Sequence, residues 1–287
     1  LPLRVGVHPN NLHLFLAQDW PGAFDGLDVE MVPYSEGRNS ARMLAEDRID
    51  VCGTGSTPPI LAQAAGLPVR YLAASAPRPA NGGLVTAPES SIRTIADLKG
   101  ARIALLDGSF HTYLLARELE RAGLHLADVQ RVELSPGASL QALGAGDIDA
   151  WVAMAPLLDQ SLAAGRTRLL ARCGDTIPNR SVFWTTRERG LSQAVLDGFV
   201  AGLMRFGETI KANPLQAAKR LAETGADAAG IAAWRDVVAS RDWSIIAAGP
   251  QIGAEQQAEA DTLLRHNDLA GPIDVTAALG PQGEAKL

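Results

Sequence analysis

At 287 residues, 47% hydrophobic and 20% charged, the chain exceeds the usual size of one core and holds no tract too polar to fold. Two lobes of about 100–200 residues each are therefore expected. A net charge of −6 excludes a general binder of nucleic acid or anionic membrane, which needs clustered Lys and Arg. No stretch reaches the roughly 20 apolar residues that cross a bilayer. A small anionic ligand stays open, because a few aimed backbone N–H groups make a local positive potential whatever the global charge.

Leu3 to Val7 reads as a strand, ended by His8-Pro9-Asn10-Asn11 before a helix-like segment Leu12 to Gln18. With a strand at its start and no basic segment leading into an apolar core, the chain is expected to be either cytosolic or stripped of an export signal. Val29 to Val32 gives a second strand, and Gly37-Arg38-Asn39-Ser40 opens a helix to about Asp47. Ile49-Asp50-Val51-Cys52 gives a third strand, followed by Gly53-Thr54-Gly55-Ser56-Thr57 and a helix starting at Pro58-Pro59, where a missing N–H costs least.

The pattern resumes at Arg102 to Leu106, with a helix from about Phe110 to Ala122, a strand around Val129 to Leu134 and a helix near Ser139 to Leu143. Ile49-Asp50-Val51 and Ile148-Asp149-Ala150 follow similar helix ends, a sign of two similarly built lobes. Ser181 to Thr186 reads as a strand returning to the first lobe. Ser192–Ala212, Leu215–Thr224, Ala228–Ser240 and Glu255–Asn267 read as helices. The fold class is α/β, with mainly parallel sheets flanked by helices. The turn cluster Pro77 to Gly83 marks a crossing, so residues 1–80 plus 187–287 are expected to form one lobe and 81–186 the other. A loose tail is expected from Gly280-Pro281-Gln282-Gly283.

The turn Gly53 to Pro59 sets small hydroxyl residues between a strand end and a helix start, where ligands of open α/β sheets sit. First-turn N–H groups with Thr54, Ser56 and Thr57 can hold an anionic oxygen; plain helix capping is the other reading. Asp107-Gly108-Ser109-Phe110-His111-Thr112 is a second such turn, so two helix starts from two lobes can clamp one anion. Arg38, at another helix start, adds long-range attraction. Trp151 and Met154 are either core or an apolar wall for a ligand's carbon part. His8, His13 and His111 match no metal spacing, and no metal or cofactor site is expected. Cys52 and Cys173 are expected to be free and buried. No nucleophile elbow, phosphate loop or dinucleotide fingerprint is present, so no catalysis is expected.

Several of these motifs resemble one family. Ile49-Asp50-Val51 with Thr54-Gly55, Pro58 to Gly66, Ile95 to Gly100, Gly108-Ser109, and Gly146 to Trp151 with Pro156 are similar, in the same order, to the aliphatic sulfonate-binding proteins of ABC importers within the wider sulfonate, nitrate and taurine group. The resemblance implies a periplasmic or lipid-anchored monomer of two α/β lobes joined by a two-stranded hinge and closing on ligand. It implies a small organic anion, an alkyl or aryl sulfonate, as ligand and a membrane permease as partner, with no enzyme activity and no cofactor. It places His8, Asn10, Asn11, Thr54, Gly55, Ser56, Ser109 and His111 towards the ligand. Ser56 stands where sulfonate binders carry Asp, Met154-Ala155-Pro156 where they carry Trp-Asp-Pro, and Gly108 to His111 shortens the family's Gly-Ser-Ser-Ser-His run. Other readings on this fold are a taurine, nitrate or thiamine-precursor carrier, or an enzyme of desulfinase type, for which His8-Pro9 stands where the nucleophilic Cys would be.

Overall fold

The computed structural model describes residues 1–224 and 230–280. β1 (Leu3–Val7) stops at the polar run that follows it, and Asn11 caps α1 (Leu12–Gln18) by accepting the Leu14 N–H. β2 (Val29–Pro33), α2 (Ser40–Ala45), β3 (Val51–Thr54), α3 (Thr57–Ala64) and β4 (Val69–Ser75) continue the first sheet. The chain then crosses to a second sheet. There it forms β5 (Gly82–Thr86), β6 (Arg102–Leu105), α4 (Phe110–Arg121), β7 (Gln130–Glu133), α5 (Pro136–Ala145), β8 (Ala150–Met154), α6 (Leu157–Ala163) and β9 (Arg168–Arg172). It returns with β10 (Val182–Thr186), followed by α7 (Gln193–Ala212), α8 (Pro214–Thr224), α9 (Ile231–Ala239), β11 (Ile245–Ala247) and α10 (Pro250–Arg265).

The first sheet has the order β11-β4-β10-β3-β1-β2 and the second β7-β6-β8-β5-β9. In each, a parallel trio (β2-β1-β3 and β7-β6-β8) meets antiparallel strands, so both sheets are mixed rather than mainly parallel. Most of the antiparallel pairing comes from the crossings, since β5 and β10 each enter a sheet from the other one; β11 adds an antiparallel pair with β4 at the edge of the first sheet. Because β10 pairs with β3 and β4, the return falls near Pro178, ahead of Val182, and not after Thr186 where the lobe boundary was expected. Strand alternation fills both faces of the first sheet. Val51 and Phe183 point to a core with α1, α7, α8 and α9, while Cys52 and Trp184 point to a core with α3 and α10. The expected tail lies almost wholly outside the described residues, at 281–287.

The two sheets repeat one detail. Arg4 on β1 donates its backbone N–H and its Nε to Asp50 Oδ2, at 2.8 and 3.1 Å; Arg102 on β6 does the same to Asp149 Oδ2, at 2.7 and 3.1 Å. Each Asp enters the neighbouring parallel strand, so the same clasp fixes β1 on β3 and β6 on β8.

The two crossing segments run side by side and are stitched together. The Arg78 N–H reaches Pro178 O at 3.0 Å, and the Gly174 N–H reaches Pro79 O at 3.0 Å. Gly174 has no room for a side chain, since a Cβ there would lie 2.3 Å from the Pro79 Cβ. The Arg78 guanidinium completes the stitch by donating to Asn179 O at 2.8 Å and Asn179 Oδ1 at 3.0 Å.

Candidate functional site

Between the two sheets lies a cleft of ≈ 460 Å³. It is walled mostly by loops at the carboxyl ends of parallel strands, the usual ligand position in open α/β sheets. His8 to Asn10 follow β1, Gly55 follows β3, Leu106 to His111 follow β6, Glu133 ends β7 and Leu134 to Pro136 follow it. Met154 and Ala155 come from the end of β8, Arg78 and Asn81 from the crossing, and Leu221, Trp234 and Arg241 from the helical region after β10. Leu12, Phe15, Phe110, Leu134, Leu221 and Trp234 make much of the wall apolar.

The histidines that line the cleft are neutral and carry opposite polarity. His8 Nε2 lies 2.9 Å from Gly53 O, and a carbonyl only accepts, so Nε2 holds the proton and Nδ1 is a bare acceptor, buried without a partner. Burial pushes its pKa down to about 4. In His111 the Leu106 N–H donates to Nδ1 at 3.2 Å, so the proton is on Nε2, again buried without a partner. Burial pushes this pKa down to about 3. His111 thus offers a donor and His8 an acceptor.

Other expected residues also reach the cleft, with their polar groups largely engaged. Asn10 is exposed, and Gly55 and Met154 contribute wall. Ser109 caps α4, accepting from the His111 N–H and donating to Leu106 O at 2.6 Å. Arg38 donates to Glu36 at 2.6 Å and across the cleft to Glu133 at 2.7 Å.

Asn11, Thr54, Ser56 and Trp151 do not line the cleft. Asn11 is spent on capping α1, although its Nδ2 is buried without a partner. Thr54 is buried in the sheet, accepting the Trp184 indole N–H at 3.0 Å and donating to Gly55 O at 2.8 Å. Ser56 is held from behind by Gln256, which donates to its carbonyl at 2.8 Å. Pro58 and Pro59 fall in the first turn of α3, so that helix start lacks two of the donors the anion clamp needs. Trp151 packs in the second sheet's core with Val85, Ala104 and Leu158.

The charged groups best placed to act were missed in the sequence. Arg78 is 8% exposed and Arg241 half-buried; both line the cleft, and among the described residues neither pairs with a carboxylate. Arg78 is held by Asn179, while Arg241 donates to Asn81 Oδ1 and lies over the Trp243 ring at 5.8 Å. Burial pushes the Arg78 pKa down to about 10; burial and then the charge of Arg78 push Arg241 to about 9. Both stay protonated at neutral pH, so two buried like charges stand in the cleft with no carboxylate paired to either among the described residues. The Trp234 indole N–H, buried and without a partner, lines the same cleft. The signal available in the sequence was Arg78 between two prolines inside the crossing; Arg241 has no local mark, and its partner Asn81 is 160 positions away.

Cys52 is not at the cleft. It is fully buried in β3, burial pushes its thiol far up, and both cysteines are free and buried. Among the described residues no three His, Cys, Asp or Glu side chains gather as a metal site, and no helix is long and apolar enough to cross a membrane.

This architecture has known counterparts. A protein named as an aliphatic sulfonates-binding protein from Escherichia coli K12 is 28% identical over 278 residues, covering 95% of this chain and 86% of its own. The structure of the periplasmic aliphatic sulphonate binding protein of Escherichia coli matches with a TM-score of 0.84 at 27% identity, covering 97% of this chain and 92% of that one. The alkanesulfonate-binding protein of Xanthomonas axonopodis pv. citri, bound to MOPS, matches with a TM-score of 0.85 at 27% identity, covering 97% and 98%. The fold is that of a periplasmic binding protein. The family model described as NMT1/THI5 like matches residues 23–170, from the segment after α1 through β9's first residues, and this chain belongs to that family.

Proposed function

We propose that the chain is the substrate-binding component of an ABC importer, working outside the cytoplasmic membrane as a monomer and delivering a small organic anion of the sulfonate class to a membrane permease. One observation carries the reading: Arg78 and Arg241 share a cleft and, among the described residues, neither is paired with a carboxylate. A sulfonate has three oxygens and one charge, enough to accept from both guanidinium groups and from a neutral donor such as Trp234 Nε1–H or His111 Nε2–H. The anion head therefore belongs at the arginines and not, as the helix starts suggested, around Thr54 and Ser56.

Size and chemistry separate the alternatives. The ≈ 460 Å³ cleft lies within the roughly 300–1,000 Å³ of pockets that enclose drug-sized ligands, far more than nitrate fills, and its apolar wall suits a carbon body. The names of the relatives support sulfonate in the same direction. A carrier rather than an enzyme of desulfinase type fits a cleft whose lining, among the described residues, holds no Cys or Lys. The two lobes, residues 1–80 with the C-terminal region and the segment built on β5 to β9, are proposed to close on the ligand.

Calorimetric titration with alkanesulfonates, taurine, nitrate, sulfate and a hydroxymethylpyrimidine tests this. The expected order puts alkanesulfonates of several carbons first, with binding weakened about ten- to a hundredfold in Arg241→Met; tightest binding of the pyrimidine, or sulfite released from a bound sulfonate, would replace the reading.

A further inference from the structure

Resting on the anion reading, we infer that His13 is a positioning residue for the anion: from outside the cleft it sets the place of Arg241 through Trp243. Arg241 lines the cleft and His13 does not. Arg241 stands on the short connection from Ser240 to Ser244, between α9 and β11, where neither helix nor sheet fixes the backbone. Its guanidinium donates to Asn81 and lies over the Trp243 ring, 5.8 Å from the ring centre. A cation over an aromatic face is attracted by the ring's quadrupole, so its place follows that of the ring.

Trp243 is buried and held at both ends. Its indole N–H donates to Val238 O at 2.9 Å, and its backbone carbonyl accepts from His13 Nε2 at 3.2 Å. The two rings also meet edge to face, with centroids 5.0 Å apart. Behind the same carbonyl stands Gly207 of α7, where even a Cβ would run into the oxygen, so the connection is pressed between α7 and His13. His13 is fixed in turn by the first turn of α1 and by Phe183 of β10, whose ring stands at right angles to it, 5.9 Å away. A column of side chains, Phe183, His13, Trp243 and Arg241, thus runs from the first sheet to the cleft.

The column matters because of what stands opposite. Arg78 and Arg241 repel each other, and an anion that bridges them needs both within reach. The Ala76 N–H donates to Ser244 O at 2.8 Å, tying the connection to the end of β4, two residues before Arg78. His13 supplies the hold on the other side, so the position of Arg241 is set before the anion arrives and less ordering is left to oppose binding. A carbonyl only accepts, so the His13 proton is on Nε2. Burial, and then the charges of Arg78 and Arg241, push its pKa down to about 3, so the ring is neutral at working pH and acts through its N–H and its edge.

A double-mutant cycle read by titration with butanesulfonate tests this, using wild type, His13→Leu, Arg241→Met and the double variant. His13→Leu is expected to weaken binding about three- to tenfold when Arg241 is present, and to change nothing when Arg241 is already Met. A residue that only supports the fold would not distinguish the two backgrounds. Where Leu leaves the chain unfolded, His13→Gln, which keeps a donor and removes the ring, runs the same cycle with an expected loss of about two- to threefold confined to the Arg241 background. An equal loss in both backgrounds, or none in either, would overturn the inference and leave the anion reading intact. Folded wild type that does not bind butanesulfonate would remove the anion reading and this inference with it.

Discussion

Trp184 donates its indole N–H to Thr54 Oγ1 at 3.0 Å, deep in the first sheet where β10 lies against β3. That bond decides what Thr54 is for. Replacing Thr54 with Val keeps the shape and leaves a buried indole N–H unpaired, which costs about 1–3 kcal/mol. Chemical denaturation should show that loss, and titration of the folded variant should give unchanged ligand affinity.

Arg241 should behave in the opposite way. Its burial beside Arg78 disfavours the empty protein, so Arg241→Met removes a like-charge repulsion and is expected to raise the unliganded melting temperature. Charge-assisted hydrogen bonds contribute about 1.5–3 kcal/mol each, so sulfonate affinity should fall about ten- to a hundredfold. Thermal shift without and with ligand reads both effects on one sample.

Glu259 on α10 gives an alkaline dependence. It is fully buried, accepts from the Thr57 hydroxyl, and burial pushes its pKa up to about 7. A folded pKa raised above the unfolded value of about 4.5 contributes stability that is present below pH 4.5 and lost as pH rises through 7. Glu259→Gln keeps an acceptor without the charge. It should be close to wild type in stability at pH 5 and more stable by a few kcal/mol at pH 8.5, measured by denaturant unfolding at the two values.

The histidines set the acid side. His8, His13 and His111 are pushed down by burial to about 4, 3 and 3, with Arg78 and Arg241 adding to the effect at His13. Folded values below the ordinary 6.5 mean that stability is complete above about pH 6.5 and falls as pH drops towards 4 and 3. Unfolding near pH 5 should take up about three protons more from these groups than unfolding near pH 8. The slope of unfolding free energy against pH measures this, and His111→Gln should reduce it by about one proton.

Much of the fold was legible because its signals are local. The Ile-Asp pairs at 49–50 and 148–149 suggested two similarly built lobes, and they prove to be the two Arg–Asp clasps, Arg4 with Asp50 and Arg102 with Asp149. Polar runs marked the ends of β1 and β3, and the segments read as helices from Phe110 and from Ser192 are α4 and α7. The antiparallel placement of β5 and β10 was not legible, because it depends on where a crossing chain re-enters a sheet. The site divided along the same line. Ser109, from its turn after a strand, and His8 and His111, from the family resemblance, were expected near the ligand and do line the cleft, whereas Thr54 looked available because Trp184, 130 positions away, could not be seen taking its hydroxyl. Arg241 was missed for the same kind of reason: an arginine acquires meaning from the carboxylates it lacks, and a sequence cannot show which those are.

Arg78 belongs to two structures at once. It lines the cleft, and it ties one crossing segment to the other through Asn179, a non-glycine residue held at φ 47°. On the proposed function, a head group that touched Arg78 would press directly on the crossing between the two sheets, so occupancy would reach that crossing through one side chain, without a relay through the core, and an importer reading the angle between the lobes would be reading the charge state of that guanidinium's surroundings.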